Sequence, residues 1–279
     1  MPVACFGTGK GRWLLRDKEW YRRVYAFNQY NRDRWVAAQA ALIPRGCTVL
    51  DVGAGPAPYR STFSHCLYKA HDFAQEPSTI GKYTKLDYVS DITNIPVPSN
   101  SFDVILCTEV LEHVPEPIQA IKEFARILNS RGILLVTAPL GSLLHQEPYH
   151  FYGGYTPYWY KKVLSEAGFL EIAIETNGGF FSFFAQEALR FSALLDPRRT
   201  WRFGWRYIPL GILWLVTLPF LRIIFPWTAS SLDALGIDRS ATVGYHIVAK
   251  KEAAVSESSH GRGRAKVGFA LDVDGPSQP

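Results

Sequence analysis

The run Val49-Leu50-Asp51-Val52-Gly53-Ala54-Gly55-Pro56 constrains this chain more than any other segment. An apolar strand enters a turn with two glycines one residue apart. Glycine reaches backbone angles closed to other residues and lets the main chain come close to a ligand. Pro58 suits the first turn of a helix, whose unpaired N–H groups would face the same ligand. Strand, glycine turn and helix in that order open a parallel sheet with helices on both faces. A glycine pair alone is shared with turns that bind nothing, so the residues beyond it decide what the turn is for.

The rest of the chain keeps this alternation. Apolar and aromatic residues recur at helical spacing over 17–43 (Trp20, Val24, Phe27, then Trp35, Ala38, Leu42) and stop at Pro44 and Gly46. Short apolar runs follow at 48–52, 68–73, 88–92, 102–108 and 133–138. Over 117–128, Ile118, Ile121, Phe124, Ala125 and Leu128 fall on one helical stripe. Residues 158–167 predict a further helix, and 169–175 and 241–250 two more strands. The expected fold class is α/β, a Rossmann-like, mostly parallel sheet with helices on both faces. Four divisions are expected: an N-terminal helical segment over 1–45, a main domain over 46–178 plus 241–251, a largely helical apolar insertion over 179–240, and a disordered tail over 252–279.

In open parallel sheets the ligand lies beyond the carboxyl ends of the strands. Asp72 closes the second strand, where a carboxylate can accept both hydroxyls of a ribose; Asp91 closes the third and can accept from an exocyclic amine. The series LDVGAG, HD at 71–72, DITNIPVPSNSFDVILCTEVLEHVPEP and RILNSRGILLVTAPL resembles class I S-adenosylmethionine-dependent methyltransferases of small molecules, most closely from Ser101 to His113. The likeness covers about residues 45–177 and the final strand. It implies a seven-stranded sheet with an antiparallel last strand, and S-adenosyl-L-methionine as cofactor. It further implies roles: Asp51, Gly53 and Gly55 around the methionine part, Asp72 at the ribose, Asp91 with Ile92 at the adenine, Glu109 facing cofactor and substrate, with Ala54 and Phe73 among the cofactor-binding residues. Ala57 stands where many members carry a third glycine, which is tolerable if a regular helix passes through it.

Methyl transfer is an in-line displacement in which alignment supplies much of the acceleration, and an oxygen acceptor also needs a general base. The loop 139–156 offers His145, His150 and Tyr155, and by resemblance it is the substrate loop; the other role open to these residues is to pin the loop by hydrogen bonds. Glu112 and His113 read as closing the loop after the fourth strand. A metal held by His145, Glu147 and His150 is set aside because nothing in a loop fixes three ligands, so no metal is expected. Gly7-Thr8-Gly9-Lys10-Gly11 is no phosphate loop: no strand precedes it, and position 11 is neither Ser nor Thr.

Residues 208–221 are uncharged and largely apolar, preceded by Arg198, Arg199, Arg202 and Arg206. Four of the eight tryptophans fall between Trp201 and Trp227. Cations and aromatics flanking an apolar run suit a membrane interface. The run falls short of the roughly twenty residues of a span, and Pro209 and Pro219 interrupt it. The expectation is peripheral membrane contact through 201–227, as a helix in one leaflet or a shallow hairpin; a lid or subunit contact and an ordinary core segment are the other readings.

With 47% hydrophobic and 20% charged residues, disorder of the whole 279-residue chain is excluded. The net charge of +5 comes without a basic run interleaved with aromatics, so no nucleic-acid partner is expected. Cys5, Cys47, Cys66 and Cys107 lack C-x-x-C spacing and read as free thiols of a reducing compartment, and 1–16 holds no signal-like apolar stretch. The expected protein is a cytoplasmic enzyme, peripheral at the inner membrane face, that methylates a small molecule such as a glycan or a lipid-linked acceptor. The alternatives are a non-catalytic methyltransferase-fold partner at a membrane and a dinucleotide-dependent oxidoreductase. Against the latter, Pro58 stands where the dinucleotide fingerprint has its last glycine.

Overall fold

Two helices, α1 (Glu19–Tyr25) and α2 (Phe27–Leu42), precede the first strand. The computed structural model describes residues 18–75, 83, 85–196, 204–205, 208–236, 238 and 240–253. Cys5, the run 7–11, Arg198, Arg199, Trp201, Arg202, Arg206, and the tail beyond 253 lie outside them. The strands are β1 (Thr48–Val52), β2 (Leu67–Asp72), β3 (Tyr88–Val89), β4 (Phe102–Thr108), β5 (Leu128–Pro139), β6 (Phe169–Thr176) and β7 (Gly244–Lys251). Helices α3 (Pro117–Ile127) and α4 (Pro157–Glu166) flank β5 in sequence. The sheet order is β3-β2-β1-β4-β5-β7-β6. Strands β1 to β5 pair in parallel, and β7 is antiparallel to both β5 and β6. The connections run outward from β1 through β2 to β3, then return to β4 on its other side. That reversal opens a crevice beyond the carboxyl ends of β1 and β4.

Burial on both faces explains why the strands read as continuous apolar runs. Leu50, Val52, Ile105, Cys107, Leu134 and Val136 pack with Ile121 and Phe124 of α3 and Tyr160 and Leu164 of α4. Val49, Leu106 and Leu135 point the other way, onto Trp35, Val36 and Ala40 of α2. Helix α2 is therefore one of the covering layers. On α3, Ala120, Ile121, Phe124 and Ile127 face inward, whereas Ile118, part of the predicted stripe, is exposed.

Three local expectations are corrected. No regular helix follows the glycine turn: residues 53–66 form successive turns, and Ala57 adopts φ +52°. A left-handed alanine cannot propagate an α-helix, so this position takes the angle that the family's third glycine would allow. The third strand is only two residues long, and Asp91 lies past its end. In the insertion, α5 (Phe180–Leu194) is followed by α6, a single helix of 26 residues from Ile208 to Asp233. Pro209 sits in its first turn, where an N–H would be unpaired anyway. Pro219 is absorbed by the π-helical stretch Phe220–Ile224, so neither proline ends the helix.

Helices α5 and α6 form an antiparallel hairpin. At its base the Asp233 carboxylate accepts the N–H groups of Gly179 (2.9 Å), Phe181 (3.1 Å) and Ser182 (2.9 Å), capping α5. Along its seam Trp214 Nε1 donates to the Ser192 carbonyl (2.7 Å) and Arg222 Nε to the Ser192 hydroxyl (2.8 Å). The polar groups thus face inward, while Ile212, Leu215, Val216, Phe220 and Ile223 face outward and exposed.

Candidate functional site

A cavity of about 500 Å³ occupies the crevice. Its wall is built strand by strand: Gly53, Ala54 and Gly55 after β1, His71, Asp72 and Phe73 around the end of β2, Asp91 and Ile92 beyond β3, Thr108 and Glu109 at the end of β4. Gly53 turns at φ +71°, and a Cβ there would stand 2.3 Å from Val110 Cγ2. Gly55 turns at φ +53° with no atom within 4 Å of such a Cβ, so the missing side chain leaves the approach open. Gly53 and Ala54 donate their N–H groups to the His71 carbonyl (2.9 and 3.0 Å), and Gly55 donates to Asp72 Oδ2 (2.8 Å). Asp72 Oδ1 accepts from the Ala74 N–H at 2.8 Å. One carboxylate therefore ties the glycine turn to the end of β2, with lone pairs left for a ligand. Asp91 is exposed; its Oδ1 accepts from the N–H and hydroxyl of Thr93 at 2.8 and 2.7 Å.

Asp51 does not line the cavity. Strand alternation turns it to the face opposite Leu50 and Val52, where it accepts the Tyr68 hydroxyl. Burial pushes its carboxyl up to about 7, against the lowering effect of that hydrogen bond. Its place is beneath the turn, as a brace.

Glu109 adopts φ +54°, an angle costly for a residue with a Cβ and typical of over-determined sites. Its N–H donates to the Thr137 carbonyl (2.8 Å) and its Oε1 accepts the Thr137 hydroxyl (2.8 Å). Its Oε2 lies 3.7 Å from Nη1 of Arg32, which also lines the cavity. No motif announces Arg32. The available signal was its helical spacing, three and four residues before the buried Trp35 and Val36.

His145, His150 and Tyr155 lie outside the cavity wall. The Tyr155 hydroxyl donates to the Leu111 carbonyl (2.8 Å), and burial raises its phenol well above the usual range. His150 Nε2 meets the Ser142 hydroxyl at 2.9 Å, and its pKa is lowered by burial and by His145. His145 Nδ1 meets the Leu143 carbonyl at 2.8 Å. The loop docks on the turn Leu111–His113, where the N–H groups of Phe151 and Tyr152 donate to the Glu112 carbonyl (3.0 and 3.1 Å). Docking gathers three imidazoles: ring centroids are 4.8 Å apart for His113 and His145, 4.6 Å for His145 and His150, and 5.8 Å for His113 and His150. Of these, His113 reaches the cavity, beside Gln146, Tyr149 and Phe151. Among the described residues the grouping with metal-ligand spacing is Glu112, His113 and His145, a different set from His145, Glu147 and His150.

The cavity fits an S-adenosylmethionine-sized ligand in volume and chemistry. Asp72 can accept from a vicinal diol, Asp91 from an exocyclic amine, and the open side of Gly55 admits a chain close to the backbone.

Comparison with known proteins agrees with this geometry. The sequence profile of a methyltransferase domain matches residues 50–136. A ubiquinone biosynthesis O-methyltransferase of Pseudoalteromonas translucida is 34% identical over 137 residues, covering 44% of this chain and 57% of that protein. A demethylmenaquinone methyltransferase of Bacillus licheniformis is 25% identical over 130 residues, covering 43% of this chain and 56% of that protein. The chain thus spans little more than half the length of these relatives. The solved structure of a candidate sarcosine dimethylglycine methyltransferase from Galdieria sulphuraria has a TM-score of 0.50 at 16% identity, covering 80% of this chain and 86% of that one, a likeness of fold alone. Residues 50–136 thus carry a methyltransferase domain, and these findings together support a class I S-adenosylmethionine-dependent methyltransferase.

Proposed function

We propose that the chain transfers a methyl group from S-adenosylmethionine to a small-molecule acceptor carried on or dissolved in a membrane, at the cytoplasmic face. One observation carries the first half: the glycine turn, Asp72, Asp91 and Glu109 line one cavity where the strand order reverses. When bound, the cofactor supplies an electrophilic methyl on a sulfonium. The chain's own residues then hold and align. In this reading Asp72 and Phe73 take the ribose end, Asp91 and Ile92 the base, and Gly53 to Gly55 with Glu109 the amino-acid end, Asp51 bracing the turn from below. The acceptor enters past Gln146 and Tyr149. His113, at the wall, takes the proton-handling role first considered for His145, His150 and Tyr155, which hold the loop.

The hairpin supports the membrane half. Its exposed face is apolar while its polar groups bond across the inner seam, the reverse of a helix pair designed for water. At 26 residues α6 is long enough to cross a bilayer of about 30 Å. However, α5 leaves from β6 and α6 returns to β7, so both ends of the hairpin stay on one side. A dip into one leaflet fits this path.

Radiolabelled S-adenosylmethionine incubated with the protein and a bacterial lipid extract tests the proposal. Label in the organic phase, lost with Asp72→Ala, is expected. Label confined to water-soluble products would remove the lipid-borne acceptor, and no label despite tight cofactor binding would favour the non-catalytic partner reading.

A further inference from the structure

A second cavity, of about 190 Å³, lies between the start of α2 and the flank of α5. Asn28, Gln29 and Arg32 line it from α2, Gln186 and Leu189 from α5. Three carboxamides and one guanidinium offer N–H donors, and none of the described residues lining it is acidic. The acids next to them in sequence are engaged elsewhere. Asp33 meets Arg22 (2.7 Å) and the Tyr59 hydroxyl (3.0 Å), and Glu187 meets Arg190 (2.6 Å). Arg32 is the wall shared with the larger cavity. Its Nε donates to the Tyr59 hydroxyl (3.2 Å) and its Nη1 stands 3.7 Å from Glu109, contacts that use the smaller part of its five N–H groups. A half-buried cation among amide donors selects an anion.

The place of the cavity in the fold narrows the choice of anion. Helix α1 packs against the Phe225–Asp233 end of α6, so the domain grips the base of the hairpin. Gln186 lies about 9 Å along α5 from Phe180, and farther along Phe191 and Leu194 are 53% and 63% exposed. The cavity thus sits where the apolar hairpin leaves the domain. For a hairpin dipped into one leaflet, that level is the headgroup layer.

We infer that this cavity binds the phosphate group of a membrane lipid, with Arg32 as counter-charge and Gln29 and Gln186 as further donors. The guanidinium fork matches a phosphate, and the acyl chains would follow the hairpin. The lipid source rests on the membrane half of the proposed function. The lipid is held rather than transformed, and it ties the seating of the hairpin to Arg32.

The test is calorimetric titration of water-soluble dihexanoylphosphatidic acid into the full chain and its Gln29→Leu and Gln186→Leu variants. Both residues line this cavity and not the larger one, so both variants keep the wild-type affinity for S-adenosylhomocysteine. One lipid per chain is expected, with affinity reduced at least fivefold in each variant. Absence of saturable binding, or unchanged affinity in either variant, overturns the site. Inorganic phosphate and dihexanoylglycerol separate the two parts of the ligand: either one binding as tightly as the phosphatidic acid overturns the lipid-phosphate assignment. Co-sedimentation of the full chain with phosphatidylcholine vesicles keeps the two proposals apart. Sedimentation without phosphatidic acid binding defeats this site alone, and that binding without sedimentation defeats the membrane reading alone.

Discussion

Gly53→Ala is the substitution whose cost follows most directly from coordinates. The residue turns at φ +71°, where an L-residue is disfavoured by about 1–2 kcal/mol. The new Cβ would meet Val110 at 2.3 Å (Cγ2), 3.0 Å (Cγ1) and 3.2 Å (Cβ). Val110 is β-branched and stiff at χ1, so it has no free rotamer into which to retreat. Overpacking of this kind costs about 1–3 kcal/mol. The sum is roughly 2–5 kcal/mol, within the typical stability of a domain. Val110→Ala removes the closest two atoms and relieves the overlap, though not the backbone strain. Urea denaturation of wild type, both single variants and the double variant gives the coupling directly. The expected coupling is about 1–3 kcal/mol in favour of the double variant. Additivity within about 0.5 kcal/mol would refute the claim that Val110 seals the glycine turn.

Asp51→Asn tests the brace. The buried carboxyl is held neutral up to about 7 when folded against 3.8 in the free chain, so the folded state binds the extra proton between those values. Wild-type stability contributed by this group therefore falls as pH rises from about 4 to 7. The neutral amide escapes that loss and gains on wild type by up to roughly 4 kcal/mol at pH 8. His71 and His246, lowered by burial to about 4, work in the opposite sense but are common to both proteins, so the difference isolates Asp51. A pH-independent difference would sink the argument. Asp72→Ala removes the acceptor of the Gly55 and Ala74 N–H groups, and S-adenosylhomocysteine binding should weaken by about 1–3 kcal/mol by calorimetry; unchanged affinity removes Asp72 from the site. Leu215→Glu with Val216→Glu, at positions 61% and 73% exposed, should abolish co-sedimentation with anionic vesicles at unchanged melting temperature. Equal sedimentation would exclude α6 as the contact.

What the sequence made legible was local and periodic. Val49 to Gly55 announced a strand and a ligand-ready turn; Asp72 and Asp91 were expected beyond strand ends, Glu109 through the family resemblance, and all three line the cavity. Asp51, expected around the methionine part, alternates with Leu50 and Val52 and meets Tyr68 on the other face. Other features depend on contacts remote in sequence. The meeting of Glu112 and His113 with His145 requires a loop docked more than thirty residues away, and no spacing records it. Arg32 reaches Glu109 only because α2 covers the sheet. The continuity of α6 through Pro219 depends on a π-helical stretch, which composition does not signal.

The central claim is that the cavity beyond β1 and β4 takes S-adenosylmethionine. Calorimetric titration of the purified chain with S-adenosylhomocysteine, and separately with NAD, tests it most directly. The account predicts saturable binding of S-adenosylhomocysteine at one per chain and no heat of binding with NAD. Binding of NAD without S-adenosylhomocysteine would contradict it.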